Sequence, residues 1–367
     1  MRRCALSASL AAVLAGSVSA QPLQALAVVQ GLQNPWAVAF LPDGRMLITE
    51  KAGRLRIADA DGHLSAPLAG LPAVSAAGQC GLLDVVLDPA HTTNQRIFFT
   101  FAEPGTAGES GNSTAVASAR LVGSQLQEVR TIFSQKPKVS SNNHCGSRIV
   151  FDRSGHLLVG LGDRFSAKEK AQNPANHIGK VVRITAEGQP VPDNPFLNRA
   201  GAAPEVYSLG HRNIQGAALH PLTGELWAAE HGPQGGDELN RVQPGRNYGW
   251  PLVTYGRNYG IGTRIGEEGP KAGFEQPLRQ WVPTSVAPSG LAFLTSERYP
   301  GWKGSLFMGT LRGQALIRLT LEGNRVVAEE RLLEDLGARI RDVRQGPDGW
   351  LYIVTDGNNG RVLRLQR

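Results

Sequence analysis

Residues 148–163, RIVFDRSGHLLVGLGD, contain the pattern that decides the fold. Two short runs of apolar and β-branched residues flank a turn-forming segment, DRSG. Runs of this kind on either side of Asp, Ser and Gly are typical of two antiparallel strands joined by a tight turn. The segment therefore predicts a β-hairpin.

The same hairpin pattern occurs six times along the chain, at intervals of roughly 45 to 75 residues. A repeat of this size with several strands in each copy is typical of a β-propeller. We therefore predict an all-β fold, a six-bladed β-propeller with four-stranded antiparallel blades. The other five copies are residues 37–50 (AVAFLPDGRMLITE), 82–101 (LLDVVLDPAHTTNQRIFFTF), 216–230 (GAALHPLTGELWAAE), 290–309 (GLAFLTSERYPGWKGSLFMG) and 342–356 (DVRQGPDGWLYIVTD).

Helical periodicity is scarce, and the best helical candidate, residues 326–336, also fits a strand followed by a turn. A strand near residues 26–30 is expected to pair with residues 361–365, which would close the ring and remove an exposed sheet edge. The alternative folds are a β-sandwich and a parallel α/β sheet. Neither explains six repeated hairpins without helices.

The N-terminus has the features of a secretory signal. Arg2 and Arg3 precede a short run of mostly small and apolar residues, and Val18-Ser19-Ala20 fits a small-residue cleavage site. We expect a signal peptide at residues 1–20, with residues 21–367 forming one propeller domain in the periplasm or outside the cell. No later stretch approaches the length of a membrane span.

The charge balance favours a small anionic ligand. Removing the two signal arginines lowers the formal net charge from +7 to +5, and the remaining surplus is spread along the chain. A nucleic-acid surface needs clustered Lys and Arg, so no nucleic-acid partner is expected. The sequence also contains no G-x-S-x-G, H-E-x-x-H, P-loop or G-x-G-x-x-G motif.

The residues with useful chemistry lie between the hairpins. His144 lies among small polar residues just before a predicted strand, where an accessible imidazole is suited to act as a general base. Most single histidines are structural, and that alternative stays open for His144 taken alone.

Arginines recur at comparable positions near the strand ends. Arg212 stands beside Asn213, and Arg312 follows a predicted strand. Arg339 and Arg341 alternate, so both should project from the same side of a strand. Arginine forks suit planar carboxylates, although each arginine taken singly could be a surface cation.

The loop at residues 231–240, HGPQGGDELN, is rich in glycine and carries two carboxylates. Gly and Pro expose backbone carbonyls, and oxygen ligands suit Ca²⁺. The loop does not match an EF-hand, so as a metal motif it is weak by itself.

Taken in chain order, these segments resemble the soluble pyrroloquinoline quinone (PQQ)-dependent glucose and aldose sugar dehydrogenase family. The resemblance covers nearly all of residues 21–367, and its specificity comes from several motifs in series. They are residues 31–36 (GLQNPW), 41–44 (LPDG), 78–84 (GQCGLLD), 144–148 (HCGSR), 160–163 (GLGD), 210–216 (GHRNIQG), 230–250 (EHGPQGGDELNRVQPGRNYGW), 287–290 (APSG) and 339–356.

The resemblance implies a six-bladed propeller, in agreement with the repeat count, and oxidation of an aldose at C1 to the lactone. Hydride would pass to PQQ with the help of Ca²⁺, and His144 would take the proton from the C1 hydroxyl. The residues implied in cofactor binding are Gln79, Arg212, Asn213, Tyr259, Arg312, Arg339 and Arg341. Gln79 and Asp163 are implied near the sugar, and the residues implied in calcium binding are Gly232, Pro233, Glu238 and Tyr248, the last through its main chain.

Two cysteines depart from the family pattern, in which glycine commonly occupies the positions of Cys80 and Cys145. Each directly follows an implied site residue, Gln79 or His144. Because the protein is expected to be exported and two cysteines remain after cleavage, we predict a Cys80–Cys145 disulfide. The alternative is two buried free thiols.

Two other functions fit a propeller. One is a calcium-dependent lactonase or related hydrolase, which would need several carboxylates or asparagines around a central metal where this chain offers arginines. The other is a non-enzymatic binding module, which would not need His144 and the arginines together.

Residues 250–288 are expected to shape the sugar pocket, and the protein is expected to be a monomer or weak dimer. The preferred aldose and the electron acceptor stay open.

Overall fold

The computed structural model describes residues 22–367, so the predicted signal peptide lies outside the described residues. The described chain is almost entirely β-structure. Its helical segments are short: α1 (His91–Asn94) and two 3₁₀ turns, Lys168–Gln172 and Glu334–Leu336. The strands are β1 (Gln24–Leu32), β2 (Pro35–Phe40), β3 (Met46–Glu50), β4 (Arg54–Ala58), β5 (Leu82–Leu87), β6 (Arg96–Pro104), β7 (Asn112–Val122), β8 (Gln125–Ser134), β9 (Gly146–Phe151), β10 (Leu157–Leu161), β11 (Lys180–Ile184), β12 (Val206–Leu209), β13 (Ile214–Leu219), β14 (Leu226–Glu230), β15 (Asp237–Val242), β16 (Arg279–Trp281), β17 (Pro288–Phe293), β18 (Leu306–Thr310), β19 (Leu316–Glu322), β20 (Arg325–Leu332), β21 (Ile340–Gln345), β22 (Leu351–Thr355) and β23 (Gly360–Gln366).

These strands form six antiparallel sheets, which confirms the predicted six-bladed propeller. Five sheets have four strands: β5 to β8, β9 to β12, β13 to β16, β17 to β20, and β21-β22-β23-β1. The sheet β2-β3-β4 has three, with a single bridge from Ala58 to Leu64 at its outer edge. Each predicted hairpin is the first pair of strands in its blade.

The innermost strands close a ring. β2, β5, β9, β13, β17 and β21 each contact the next, and β21 contacts β2. The predicted closure is also confirmed, because β1 pairs with β23 from Gln24 opposite Gln366 to Leu32 opposite Gly360. The last blade is therefore assembled from both ends of the described chain, which removes a free edge.

Burial explains the residue patterns along the strands. The second strand of a blade, such as β10, is buried at every position because neighbouring blades cover both of its faces. The outermost strand β20 has no fully buried residue and continues into the 3₁₀ turn Glu334–Leu336. The helical candidate at residues 326–336 is therefore a strand and a turn. Within residues 22–367, no helix is long and apolar enough to cross a membrane.

Candidate active site

His144 and Asp163 meet at one end of the ring. His144 lies just before β9, and Asp163 lies just after β10. Because the two strands are antiparallel, with Leu161 opposite Gly146, the residues at these ends come together. His144 Nδ1 lies 2.6 Å from Asp163 Oδ1. His144 adopts a left-handed φ of 50°, and its backbone N–H donates to Gln79 Oε1 at 2.9 Å.

Asp163 is a buried carboxylate that accepts three N–H donors. Oδ1 faces His144 and also accepts from the backbone N–H of Phe165 at 2.7 Å. Oδ2 accepts from Trp250 Nε1 at 2.7 Å. Burial alone would raise the pKa of Asp163, but its hydrogen bond with His144 and the charge of Arg212 outweigh burial and lower that pKa. Asp163 is therefore ionised at neutral pH.

An ionised Asp163 decides the tautomer of His144. A carboxylate can only accept, so Nδ1 of the imidazole carries the proton and donates it to Asp163. Burial lowers the pKa of His144, and Arg212 and Arg164 lower it further, against the opposing effect of Asp163. The imidazole is therefore neutral at pH 7. Its Nε2 has no hydrogen-bond partner within residues 22–367, which leaves a lone pair available as a base.

A pocket of about 330 Å³ brings together several of the predicted residues: His144, Asp163, Arg212, Pro233 and Tyr259. The other residues that line it are Phe165, Lys168, Trp250, Asn258 and Ile265. Asn258, Tyr259 and Ile265 come from the segment 250–288 that the sequence predicts to shape the sugar pocket.

Arg212 and Asn213 lie just before the innermost strand β13. The Arg212 guanidinium donates to the carbonyls of His231 and Gly232, and its Nε is buried without a partner in the described chain. Asn213 Oδ1 accepts from the backbone N–H of Gly146 at 3.1 Å, which ties the start of β13 to the start of β9.

Arg339 and Arg341 project to the same side of the chain, as predicted, because both donate to Asp356 Oδ2, at 3.0 and 3.3 Å. Burial lowers the pKa of Arg341, and its Nε has no partner within residues 22–367. Lys51 belongs to the same cluster. Burial lowers the pKa of Lys51, and the positive charges of Arg341 and Arg339 add to the effect. Lys51 is not among the residues predicted from the sequence, although it follows β3 at the same end of the ring.

Three other predicted residues are more exposed. Gln79 is exposed but anchored by its bond to His144. Tyr259 is 59% exposed at the rim of the pocket. Arg312 is exposed after β18, and within residues 22–367 its side chain makes no hydrogen bond or ion pair. Its backbone N–H donates to the Val286 carbonyl.

Asp237 anchors the Gly232–Pro233 loop through a hydrogen bond. Gly232 N–H donates to Asp237 Oδ1 at 2.9 Å. Asp237 Oδ2 accepts from Ser285 Oγ and from the backbone N–H groups of Val286 and Ala287. Asp237 therefore joins the loop to the chain that enters β17.

Glu238 lies directly opposite Glu230 on the paired strands β14 and β15. Glu230 accepts from His211 Nδ1 and from the Arg212 backbone N–H, whereas Glu238 accepts only from Asn240 within the described part of the chain. Burial and the negative charge of Glu230 raise the pKa of Glu238. Both carboxylates line a cavity of about 10 Å³ together with Gly232 and Tyr248. This is room for one small ion or water.

Cys80 and Cys145 form a disulfide with their Cα atoms 5.7 Å apart, which confirms the prediction. Cys80 precedes β5 and Cys145 precedes β9, the innermost strands of adjacent blades. The bond therefore joins two neighbouring loops beside His144.

Comparison with known proteins gives the family. Residues 32–364 match the profile of the family described as Glucose / Sorbosone dehydrogenase. The chain belongs to this family. Membership confirms the predicted enzyme class, an oxidoreductase of the sugar dehydrogenase type, and it agrees with the resemblance drawn from the motifs.

Individual members are similar over nearly the whole chain. The aldose sugar dehydrogenase YliI of Escherichia coli K12 is 46% identical over 339 residues, 91% of this chain and 90% of that protein. The structure of the soluble aldose sugar dehydrogenase of Escherichia coli in its apo form has a TM-score of 0.90 at 44% identity, covering 94% of this chain and 99% of that one. The PQQ-bound aldose sugar dehydrogenase of Streptomyces coelicolor has a TM-score of 0.76 at 32% identity, covering 94% and 97%.

Proposed function

We propose that this protein oxidises aldose sugars at C1 to the lactone, with bound PQQ and Ca²⁺ and with His144 as the general base. The observation that carries the proposal is the neutral imidazole of His144, which Asp163 holds at the wall of a pocket that also contains Arg212. A base, an anion-binding side chain and space for a small substrate therefore lie in one place.

The proton step follows from the tautomer. Asp163 accepts the Nδ1 proton, so Nε2 is the atom that takes the proton of the C1 hydroxyl. As the imidazole becomes positive, the Asp163 carboxylate stabilises it, in the manner of a carboxylate behind a catalytic histidine. We propose that Gln79 and Asp163 keep the His144 loop in the required position.

The arginines fit a cofactor with several carboxylates. Arg212 Nε and Arg341 Nε are buried N–H groups without partners in the described residues, and such groups are costly unless a ligand satisfies them. We propose that these two arginines, together with Asn213, Tyr259, Arg312 and Arg339, hold PQQ. When bound, PQQ supplies the hydride acceptor, and Ca²⁺ polarises its reactive carbonyl.

For the cations, we propose two groups of oxygen ligands. The first is the pair of backbone carbonyls at Gly232 and Pro233. The second is the Glu238 carboxylate with the main chain at Tyr248, because a cation there would offset the close approach of Glu238 and Glu230.

We also propose that residues 1–20 are removed on export and that residues 21–367 work as one catalytic domain in the periplasm or outside the cell. N-terminal sequencing of the protein recovered from the periplasm tests this, and an intact Met1 would refute it.

Reconstitution tests the activity. Protein stripped of cofactor should gain aldose-dependent dye reduction only when PQQ and Ca²⁺ are both added, and the product should be the lactone. NAD(P)⁺ should not replace PQQ. Activity with NAD(P)⁺ and no quinone would refute the proposal, and lactone consumption without dye reduction would favour a hydrolase.

A substitution tests the base. His144→Gln should lower kcat by about 10²- to 10⁴-fold while PQQ still binds. Because burial lowers the pKa of His144 below its ordinary 6.5, kcat/KM of the wild type should begin to fall only below pH 6.5. Turnover of His144→Gln near the wild-type rate would remove His144 from the mechanism.

A further inference from the structure

A buried cluster lies directly behind the proposed site and consists of Cys80, Cys145, Arg164 and Asn112. The Arg164 guanidinium donates to Cys145 Sγ and, at 3.5 Å, to Cys80 Sγ. Its other terminal nitrogen donates to Asn112 Oδ1 and to the Ser141 carbonyl. Arg164 is 0% exposed, and both cysteines are buried. We call these four residues the disulfide–arginine cluster.

Three members of the cluster directly follow residues of the site along the chain. Gln79 precedes Cys80, His144 precedes Cys145, and Asp163 precedes Arg164. The site residues are themselves linked, since Gln79 bonds the His144 backbone and Asp163 bonds the His144 ring. The cluster therefore connects the three segments that meet at the His144 imidazole.

The environment of Arg164 is unusual for a buried cation. Within residues 22–367, no carboxylate lies within ion-pair distance of its guanidinium; its partners are an amide oxygen, a carbonyl and two sulfur atoms. Burial lowers the pKa of Arg164 to about 10, so the group stays charged at neutral pH. Buried charges are costly unless paired, and structures retain such costs mainly at functional sites.

The backbone at this point is also strained. Arg164 and Phe165 both have left-handed φ values, 60° and 61°, which bulky residues rarely adopt. This conformation directs the Phe165 N–H to Asp163 Oδ1 and brings the Phe165 ring edge-on to His144, with centroids 5.2 Å apart.

We propose that Arg164 is a positioning residue for the His144–Asp163 pair and acts through its contacts with the Cys80–Cys145 disulfide and Asn112. It keeps the turn at residues 163–165 in the conformation that presents the Asp163 carboxylate to Nδ1 of His144. This inference rests on the proposed function, in which that imidazole is the base.

Kinetics of two variants test the proposal. Arg164→Gln should lower kcat by about 10²-fold, with KM for the sugar and the Kd for PQQ changed by less than about 3-fold, because a small displacement of a catalytic group is costly while binding surfaces stay intact. Arg164→Lys keeps a cation that can reach part of the cluster, so its kcat should lie between those of wild type and Arg164→Gln. It also carries the test if Arg164→Gln does not fold.

A second measurement does not depend on activity. In cofactor-free protein labelled with ¹⁵N-histidine, the Nδ1 proton of His144 should give a downfield resonance that is absent from His144→Gln. That resonance should weaken or shift upfield in Arg164→Gln and be partly restored in Arg164→Lys. An unchanged resonance in both variants would overturn the proposal.

The control separates positioning from general destabilisation. Tyr299→Phe removes a buried hydroxyl that donates to the Leu365 carbonyl and accepts from the Leu351 N–H, and none of these residues belongs to the site. It should lower thermal stability without changing kcat. The proposal is wrong if both Arg164 variants keep kcat within about 2-fold of this control, or if KM rises in proportion as kcat falls.

A cycle with the disulfide completes the design. In a Cys80→Ser/Cys145→Ser background, Arg164→Gln should lower kcat by less than about 10-fold, since the disulfide, one of the two partners through which Arg164 acts, is already lost. The same 10²-fold effect in both backgrounds would overturn the coupling. If wild-type protein loaded with PQQ and Ca²⁺ oxidises no aldose, the proposed function is wrong. The His144 resonance would still test the role of Arg164 in that case.

Discussion

Replacing Asp163 by Asn is the sharpest test of how the site works. The two carboxylate oxygens accept three N–H donors, from His144, Phe165 and Trp250. An amide of the same shape offers one acceptor oxygen and one NH₂ donor. At least one of the three N–H groups must therefore lose its acceptor, whichever way the amide is turned.

The two amide orientations have different consequences. If the NH₂ group faces Trp250, His144 keeps its Nδ1 proton, but the stabilising negative charge is gone. If the NH₂ group faces His144, the imidazole must accept at Nδ1 and carry its proton on Nε2, which abolishes the base. Each orientation leaves a buried donor unsatisfied at about 1 to 3 kcal/mol, so neither is excluded on energy. Loss of the charge in both orientations, together with loss of the tautomer in the second, should lower kcat by about 10²- to 10⁴-fold.

The assay is steady-state dye reduction by protein loaded with PQQ and Ca²⁺, with PQQ affinity measured separately by fluorescence titration. Asp152→Asn is the matched control, because Asp152 lies at the other end of β9 and pairs with Arg183 at 2.7 Å. It should leave kcat unchanged. A folded Asp163→Asn protein, loaded with PQQ and Ca²⁺, with kcat within about 3-fold of wild type would refute the role assigned to the Asp163 carboxylate.

Three other perturbations follow from the structure. Arg339→Ala and Arg341→Ala should each weaken PQQ binding more than sugar binding. The loss should be larger for Arg341, because its side chain is 13% exposed against 48% for Arg339. A PQQ affinity equal to that of wild type in both variants would remove these arginines from the cofactor site. Cys80→Ser/Cys145→Ser should lose about 4 kcal/mol of unfolding free energy in urea, because the bond closes a loop across 65 residues of sequence separation. A loss under about 1 kcal/mol would contradict that. Burial lowers the pKa of Lys180 from 10.5 to about 7. Between pH 7 and 10.5 the unfolded chain therefore binds more protons than the folded protein. The free energy of unfolding of wild type should rise relative to that of Lys180→Met as the pH rises from about 7 towards about 10. Parallel profiles of unfolding free energy against pH for the two proteins would contradict this.

The architecture could be predicted from the sequence. Hairpin alternation and turn residues are local signals, and their sixfold repetition predicts both the number of blades and the ring closure between β1 and β23. The sequence also predicted that the candidate site residues lie between the hairpins. In a propeller the first strands of all blades start at the same end, so residues just before them, such as His144 and Arg212, converge there.

Tertiary structure alone decided how these residues are connected. Asp163 meets Trp250 across 87 positions, and Arg164 meets Cys80 across 84. Lys51 joins Arg341 from another blade. No periodicity or local motif marks such pairs, because they depend on how loops from different blades pack and on which polar groups burial leaves without water. The protonation state of His144 belongs here too, since it is set by that burial and by charges brought in from distant parts of the chain.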